Sequence, residues 1–297
     1  MWGSLGLQPA GGGATVIVSA SYRTDIPAFY ADWFLGRLAA GYAAVANPYG
    51  GGVQRVSLAP GEVDGFVLWT RNLRPLLPHL DRVRAVAPFT VQFTATGYPR
   101  ALEASVIAAA EAVAQLRDVA RRFGRRAAVW RYDPIVVAPS VDHRRNFAAL
   151  AQALAGTVDE VVLSFVHPYR KTARNLGRAG IAWRDPPVEE KRDLLAALAA
   201  LAAEHGIAAT LCTQPGLAGA GLGAARCVDA ARLSDVAGRP ILAPESGNRP
   251  GCLCARSRDI GAYDTCPHGC VYCYAVADRD RAVRRFRRHD PAADRLG

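Results

Sequence analysis

Late in the chain, Cys266, Cys270 and Cys273 stand in the run C-P-H-G-C-V-Y-C, a C-x3-C-x2-C spacing with Tyr272 directly before the last thiol. Three thiolates on one short loop suit an iron-sulfur cluster better than zinc, because a closed zinc site needs a fourth ligand and is usually built from paired C-x2-C knuckles. Held by three cysteines, a four-iron cluster keeps one iron open, and an open iron can chelate a small molecule. The plain alternative is a structural zinc or a redox loop.

Four further cysteines, Cys212, Cys227, Cys252 and Cys254, precede that loop. Their number matches an all-thiolate site with four ligands. With Cys212 at the end of a strand and Cys252-Leu253-Cys254 able to reach it, the set predicts an auxiliary iron-sulfur cluster or a structural zinc. The competing reading makes Cys212 and Cys227 small buried residues, a common use of cysteine.

Such groups need a frame. Apolar, β-rich runs alternate with helical patterns, the order that builds a parallel sheet or barrel. Strands are predicted near Val16–Ser19, Ala43–Ala46, Gly65–Thr70, Phe89–Thr94, Ala127–Tyr132, Glu160–Phe165 and Ile207–Cys212. Helices are predicted over Pro27–Ala40, Ala101–Phe123 and Pro187–His205, with Gly41, Gly124 and Gly206 marking their ends. Seven such units exceed a simple doubly wound sheet and predict an α/β fold of the (βα) TIM-like barrel type. The expected division is a loose tail over 1–14, a barrel over 15–214, a cysteine-rich iron-sulfur segment over 215–275 that completes the barrel, and a basic helix or tail over 276–297.

In a parallel barrel, functional groups collect where strands end and loops begin. Ser19, Ser21, Arg23 and Asp25 lie at the first such place; Trp69, Thr70, Arg71 and Asn72 lie at the third. Gln92, Thr94 and Thr96 follow, then Arg131 and Asp133, then Ser164, His167, Arg170 and Lys171. Together they predict one polar cavity, with Arg23, Asp25, Arg131 and Asp133 as candidate catalytic groups. Each has a structural alternative. Asp25 before Ile26-Pro27 suits a helix cap, and Asp133 before Pro134 suits a turn. A buried guanidinium needs a carboxylate, so Arg23–Asp25 or Arg131–Asp133 can equally be a structural pair. His167 lacks a second histidine at ligand spacing and reads as a loop residue.

The composition bounds the rest. A chain of 297 residues can bury one large core. The longest apolar stretch, Leu194–Ala203, is about half of what a bilayer span requires, so no membrane partner is expected. Met1–Ala14 is glycine-rich, without the basic and apolar regions of a signal peptide. Seven cysteines with no export signal then predict a reducing, cytoplasmic setting in which thiols serve as ligands rather than disulfides. The net charge of +10 invites a nucleic-acid partner. Against that, only Lys171 and Lys191 among 36 basic residues are lysines, an imbalance that with the abundant alanine points as much to codon bias. Arg279, Arg281, Arg284, Arg285, Arg287 and Arg288 run along a predicted terminal helix, and most such runs are solvated faces.

Two resemblances sharpen the reading. V-S-A-S-Y-R-T-D-I-P-A-F-Y from Val18, W-R-Y-D-P from Trp130, and R-P-G-C-L-C followed by D-I-G-A-Y-D-T-C-P-H-G-C-V-Y-C-Y-A to Ala275 resemble the bacterial family called domain of unknown function 1848. The likeness runs from Val16 to Ala275, and the family label carries no substrate. The loop Cys266–Tyr274 is also similar to that of the radical S-adenosylmethionine (SAM) superfamily. There, the likeness implies, a [4Fe-4S] cluster binds the amino and carboxylate groups of SAM and reduces its sulfonium, giving methionine and a 5'-deoxyadenosyl radical. In the superfamily the loop normally follows the first barrel strand; here it comes late, which implies a circularly permuted barrel with Ile260–Thr265 as the strand before the loop. That placement puts Ser19 and Ser21 where the superfamily binds the SAM amino group, although no G-G-E motif is present. Tyr272 would offer backbone contacts to adenine, and Gln92 and Thr94 count with them as cofactor contacts. The implied partners are an unknown substrate and an electron donor such as flavodoxin or ferredoxin. The second expectation, from another class, is a non-catalytic zinc or iron-sulfur protein that binds nucleic acid through its basic surface.

Overall fold

In the computed structural model, which describes residues 16–47, 50, 52–219 and 221–296, β1 (Val16–Ala20) leads through α1 (Ile26–Phe29) and α2 (Ala31–Ala40) to a hairpin of β2 (Tyr42–Ala46) and β3 (Val53–Ser57). Then come β4 (Val63–Thr70), α3 (Leu80–Val86), β5 (Phe89–Thr94), α4 (Ala109–Phe123), β6 (Ala128–Ile135), α5 (His143–Leu154) and β7 (Glu160–Phe165). They are followed by α6 (Arg170–Arg178), α7 (Val188–Ala203), β8 (Ala208–Leu211), β9 (Leu222–Ala224), α8 (Ala230–Ala237), β10 (Ser257–Asp259) and α9 (Arg279–Arg288). The predicted tail 1–14 lies outside the described residues.

Eight strands form one sheet in the order β10-β1-β4-β5-β6-β7-β8-β9. Every neighbouring pair is parallel, as helical crossovers require. The arrangement is TIM-like, but the predicted closure is corrected: among the described residues β10 and β9 remain the two edges. Each is three residues long.

Side chains alternate between the two faces with period two. Val18, Phe66, Val91, Trp130 and Leu163 point to the helices, where Trp33 and Phe34 of α2, Leu116 of α4, Phe147 of α5 and Leu198 of α7 meet them in the main core. Burying each large apolar side chain there contributes about 1.5–3 kcal/mol. Ile17, Val67, Val129 and Val162 point the other way and meet Leu233 of α8, Cys212, Cys227 and Cys254. Gly65 lets α8 approach: a Cβ there would lie 2.8 Å from Leu233 Cδ2 and 3.2 Å from the Pro88 carbonyl. Arg232, also on α8, pairs with Asp159 at 2.8 Å and Glu160 at 2.6 Å. This helix therefore closes the second face at the amino ends of the strands.

Several sequence expectations are corrected. The strand expected over Ala43–Ala46 exists, but it pairs antiparallel with β3 outside the main sheet. The helix expected over Pro27–Ala40 breaks at Tyr30, whose φ of −130° is not helical. The helix expected from Ala101 starts at Ala109, because the preceding segment turns in to deliver Glu103 to the site described below. The strand before the cysteine loop is Ser257–Asp259 rather than Ile260–Thr265, which is irregular. The segment 215–250 contributes both β9 to the sheet and α8 to its second face. Among the described residues no helix is long and apolar enough to cross a membrane.

Candidate metal and substrate site

β10 and β1 run in register, with Ser19 opposite Asp259. That register sets up the first half of the site. The Asp259 carboxylate accepts from the Ser19 hydroxyl at 2.7 Å, the Ser21 hydroxyl at 2.7 Å, the Tyr22 amide at 3.0 Å, Arg23 Nε at 2.8 Å and the Gly261 amide at 3.0 Å. Gly261 must be glycine at this crossing, since a Cβ would fall 2.0 Å from Ser21 Oγ. Ser19 and Ser21 therefore turn toward β10 and brace it. The expected Arg23–Asp25 pair is corrected too: the carboxylate bound to Arg23 is Asp259, which the sequence reading had passed over.

Asp25 does cap α1, accepting from the Ala28 amide at 3.0 Å, and it does more. It also accepts from the Thr70 hydroxyl at 2.7 Å and the Arg71 amide at 2.7 Å, and it lies 2.7 Å from Nε2 of His268. His268 sits inside the cysteine loop, so this buried pair ties the loop to α1 and to the end of β4. A second anchor lies one strand over. Arg71 donates to Glu103 at 2.7 Å and to the Tyr272 hydroxyl at 2.5 Å, Thr96 donates to Glu103 at 2.6 Å, and the Tyr272 hydroxyl donates to Glu103. Burial opposes the charge on Arg71, but Glu103, Tyr272 and Cys270 hold it firmly protonated. Burial pushes the Tyr272 hydroxyl well up, outweighing Arg71. The phenol is thus a neutral bridge between a cation and an anion. Beside it opens a cavity of about 230 Å³ lined by Arg71, Thr94, Thr96, Tyr98 and Glu103 among others.

These anchors present Cys266, Cys270 and Cys273 together, each a free cysteine at a half-buried position. Burial raises all three pKa values. For Cys266 the charges of Asp25 and Cys273 add to the effect; Cys270 is pushed up to about 12 although Arg71 draws it down; for Cys273 the backbone amides of Ala275 and Val276 oppose the rise. Without a cation between them the thiols hold their protons; a bound metal supplies the positive charge that makes thiolates favourable. Among the described residues no three His, Cys, Asp or Glu side chains are already closed round one ion-sized point. A four-iron cluster asks for something looser, since each thiolate binds a different iron and the sulfurs stand farther apart than around one ion.

The second half of the site lies on the second sheet face. Trp69 Nε1 donates to Ser19 at 3.0 Å, and the Arg131 guanidinium stacks 5.0 Å from the Trp69 ring. Arg131 donates to Gln92 at 3.1 Å, to Cys227 Sγ at 3.0 Å, and to Asp133, which also accepts from Ser164. Burial works against the charge of Arg131, while Cys227, Asp133 and Cys212 keep it protonated. A continuous polar seam thus crosses the sheet from Asp259 to Ser164. Gln92 also donates to the Cys227 carbonyl at 3.0 Å, so its amide is an internal brace. Near the far end His167, a loop residue as expected, carries a buried Nε2 with no hydrogen-bond partner in the structure.

Sequence reasoning named Ser19, Ser21, Arg23, Asp25, Gln92, Arg131, Asp133 and the three loop thiols. It missed Asp259 and Glu103 as acceptors and passed over His268. The signal for His268 was its place in the cysteine loop; Asp259 and Glu103 acquire their roles only through partners far off in the chain. Thr172 Oγ1 donates to the Tyr272 carbonyl at 3.5 Å. Along α9, Arg279 donates to Ser105 at 2.6 Å, Arg285 donates to the Tyr263 carbonyl at 3.0 Å, and Arg281 lies 3.7 Å from Asp264. Half of the arginine run therefore contacts segments beside the cysteine loop, and Arg284, Arg287 and Arg288 are exposed.

The chain matches the family described as domain of unknown function (DUF1848) over residues 17–275, and it belongs to that family. The match runs from β1 through the cysteine loop and takes in all seven cysteines. No curated protein matches the chain.

Proposed function

We propose that this chain is a radical SAM-type enzyme whose [4Fe-4S] cluster is held by Cys266, Cys270 and Cys273 and whose substrate is taken up against the polar second face of the sheet. One observation carries the reading. The three-thiol loop follows β10, the parallel neighbour of β1, and is pinned to residues that follow β1, β4 and β5, namely Asp25, Arg71 and Glu103. Loops after parallel strands are where such folds gather their chemistry. The late position of the loop then amounts to a permuted order around the same frame.

When bound, the cluster supplies one-electron reduction of SAM to methionine and a 5'-deoxyadenosyl radical that abstracts hydrogen from the substrate. The protein's part is positional. Three cysteines leave one iron for the cofactor. The His268–Asp25 and Arg71–Glu103–Tyr272 contacts fix the loop, and the apolar packing beneath it excludes water from a reactive species. With Ser19 and Ser21 spent on Asp259, the side chains that face the seam for substrate are Trp69, Thr94, Arg131, Asp133 and Ser164.

The test is anaerobic reconstitution with iron and sulfide, reduction by dithionite, addition of SAM, and quantification of 5'-deoxyadenosine by mass spectrometry. Formation above a C266A/C270A/C273A control supports the proposal. Absence of product from protein with a verified four-iron cluster overturns it in favour of a structural or electron-transfer cluster, and colourless protein holding only zinc overturns the cluster itself.

A further inference from the structure

The four cysteines outside the loop converge. Cys212 follows β8, with its amide donating to Leu163 at 2.8 Å; Cys227 precedes α8; Cys254 lies on a segment whose next residue, Ala255, donates to the Val228 carbonyl at 2.9 Å. Backbone pairing thus fixes three thiol-bearing segments side by side. The sulfurs of Cys212 and Cys227 are 3.6 Å apart, Cys254 contacts Cys227, and Cys252 packs against the second-face cluster that contains them. All four are free thiols.

We propose that Cys212, Cys227, Cys252 and Cys254 form a second, four-thiolate metal centre, with Arg131 and Arg249 as its counter-charges. The Cys212–Cys227 spacing fits: metal–sulfur bonds of about 2.3 Å in a tetrahedron place neighbouring sulfurs about 3.8 Å apart. The surroundings fit better still. Arg131 donates to Cys227 Sγ at 3.0 Å, Arg249 approaches Cys212 Sγ at 3.9 Å, and the Val228 amide donates to Cys254 Sγ at 3.4 Å. Donors aimed at sulfur are what a thiolate ligand requires of its surroundings. A core of neutral thiols acting as small hydrophobes would have less use for them. Asp133 answers one of the two arginines, so the group has cationic charge to spare. Four thiolates on one zinc ion carry a net double negative charge, which that excess answers. The ligand set is gathered rather than closed, and Cys252, on the turn that begins at Arg249, is the arm that completes it.

This site does not depend on the radical SAM reading, and its test separates the two. The full chain is purified anaerobically, and zinc, iron and acid-labile sulfide are measured per chain in the unaltered protein, in C266A/C270A/C273A and in C212A/C227A. The expected result is that the loop variant still holds one metal ion without acid-labile sulfide, and that C212A/C227A loses that ion alone. Because C212A/C227A alters buried residues, thiol alkylation of the unaltered chain is followed by peptide mass spectrometry before and after chelation. Joint protection of the four thiols, lifted together by the chelator, supports the centre. A loop variant devoid of tightly bound metal, alkylation indifferent to the chelator, or a Cys212–Cys227 disulfide in unreduced protein overturns it.

Discussion

Arg23 donates from Nε to Oδ1 of Asp259 at 2.8 Å across 236 positions of sequence, and the contact joins the first strand of the fold to the strand before the cysteine loop. Asp259→Ala removes an acceptor shared by five donors and leaves the guanidinium buried without its partner. Losing one member of a buried pair costs about 3–5 kcal/mol. Urea unfolding at constant slope should show a midpoint lowered accordingly, with Asp259→Asn in between; a midpoint equal to that of the unaltered chain would contradict the role assigned to Asp259.

Tyr272 sits between Arg71 and Glu103, so Tyr272→Phe takes a neutral bridge out of a buried network while leaving all three loop thiols in place. The expected loss of stability is about 1–3 kcal/mol, the cost of unsatisfied buried polar groups. Iron bound after reconstitution should stay at the level of the unaltered chain, whereas Cys270→Ala should lower it. A fall in iron for Tyr272→Phe as deep as for Cys270→Ala would mean that the phenol sets ligand geometry and is more than a brace.

Local pattern carried much of this fold and long-range chemistry carried the rest. The strands at Glu160–Phe165 and Phe89–Thr94 were legible because β-branched and aromatic residues fill segments too short for a helix, the second alternating apolar with polar. β9 and β10 were not, being three residues each with no apolar period to read. The false start of α4 at Ala101 has the same origin: alanine favours helix, yet Glu103 is worth more to the fold as the partner of Arg71. At the site, the C-x3-C-x2-C spacing announced itself, as did the polar residues at strand ends. Their true partners did not, because Ser19, Ser21 and Arg23 meet Asp259 only after the sheet has assembled. A parallel register decides those contacts, and no window of sequence contains it.

Gly65 marks where α8 presses on the second face. A methyl group there would stand 2.8 Å and 3.1 Å from the two terminal carbons of Leu233 and 3.2 Å from the Pro88 carbonyl. Overpacking of this kind costs about 1–3 kcal/mol. Gly65→Ala should therefore lower the unfolding midpoint, and Leu233→Ala in the same chain should recover part of the loss, because the side chain yields while the Pro88 backbone does not. Strict additivity of the two substitutions would show that Leu233 is not the obstacle.

His143 gives the fold a pH dependence whose sign can be worked out. Its Nδ1 lies 3.0 Å from the Tyr132 hydroxyl and its Nε2 lies 3.0 Å from the Val136 carbonyl. The neutral ring with its proton on Nε2 satisfies both, accepting from the phenol and donating to the carbonyl. Burial lowers its pKa below the ordinary value, with the Val136 bond and the charge of Asp142 opposing. The unfolded chain therefore takes up this proton first as pH falls. The stability due to a neutral His143 is complete above about pH 6.5 and is lost as pH drops from there toward the lowered folded value, at up to about 1.4 kcal/mol per pH unit. Buried His167 and His289 shift the same way, so the comparison must be by difference. Urea midpoints measured between pH 7.5 and pH 5.5 should fall more steeply for the unaltered chain than for His143→Gln, which keeps a donor and an acceptor but cannot titrate. Parallel curves would assign the pH dependence to the other histidines.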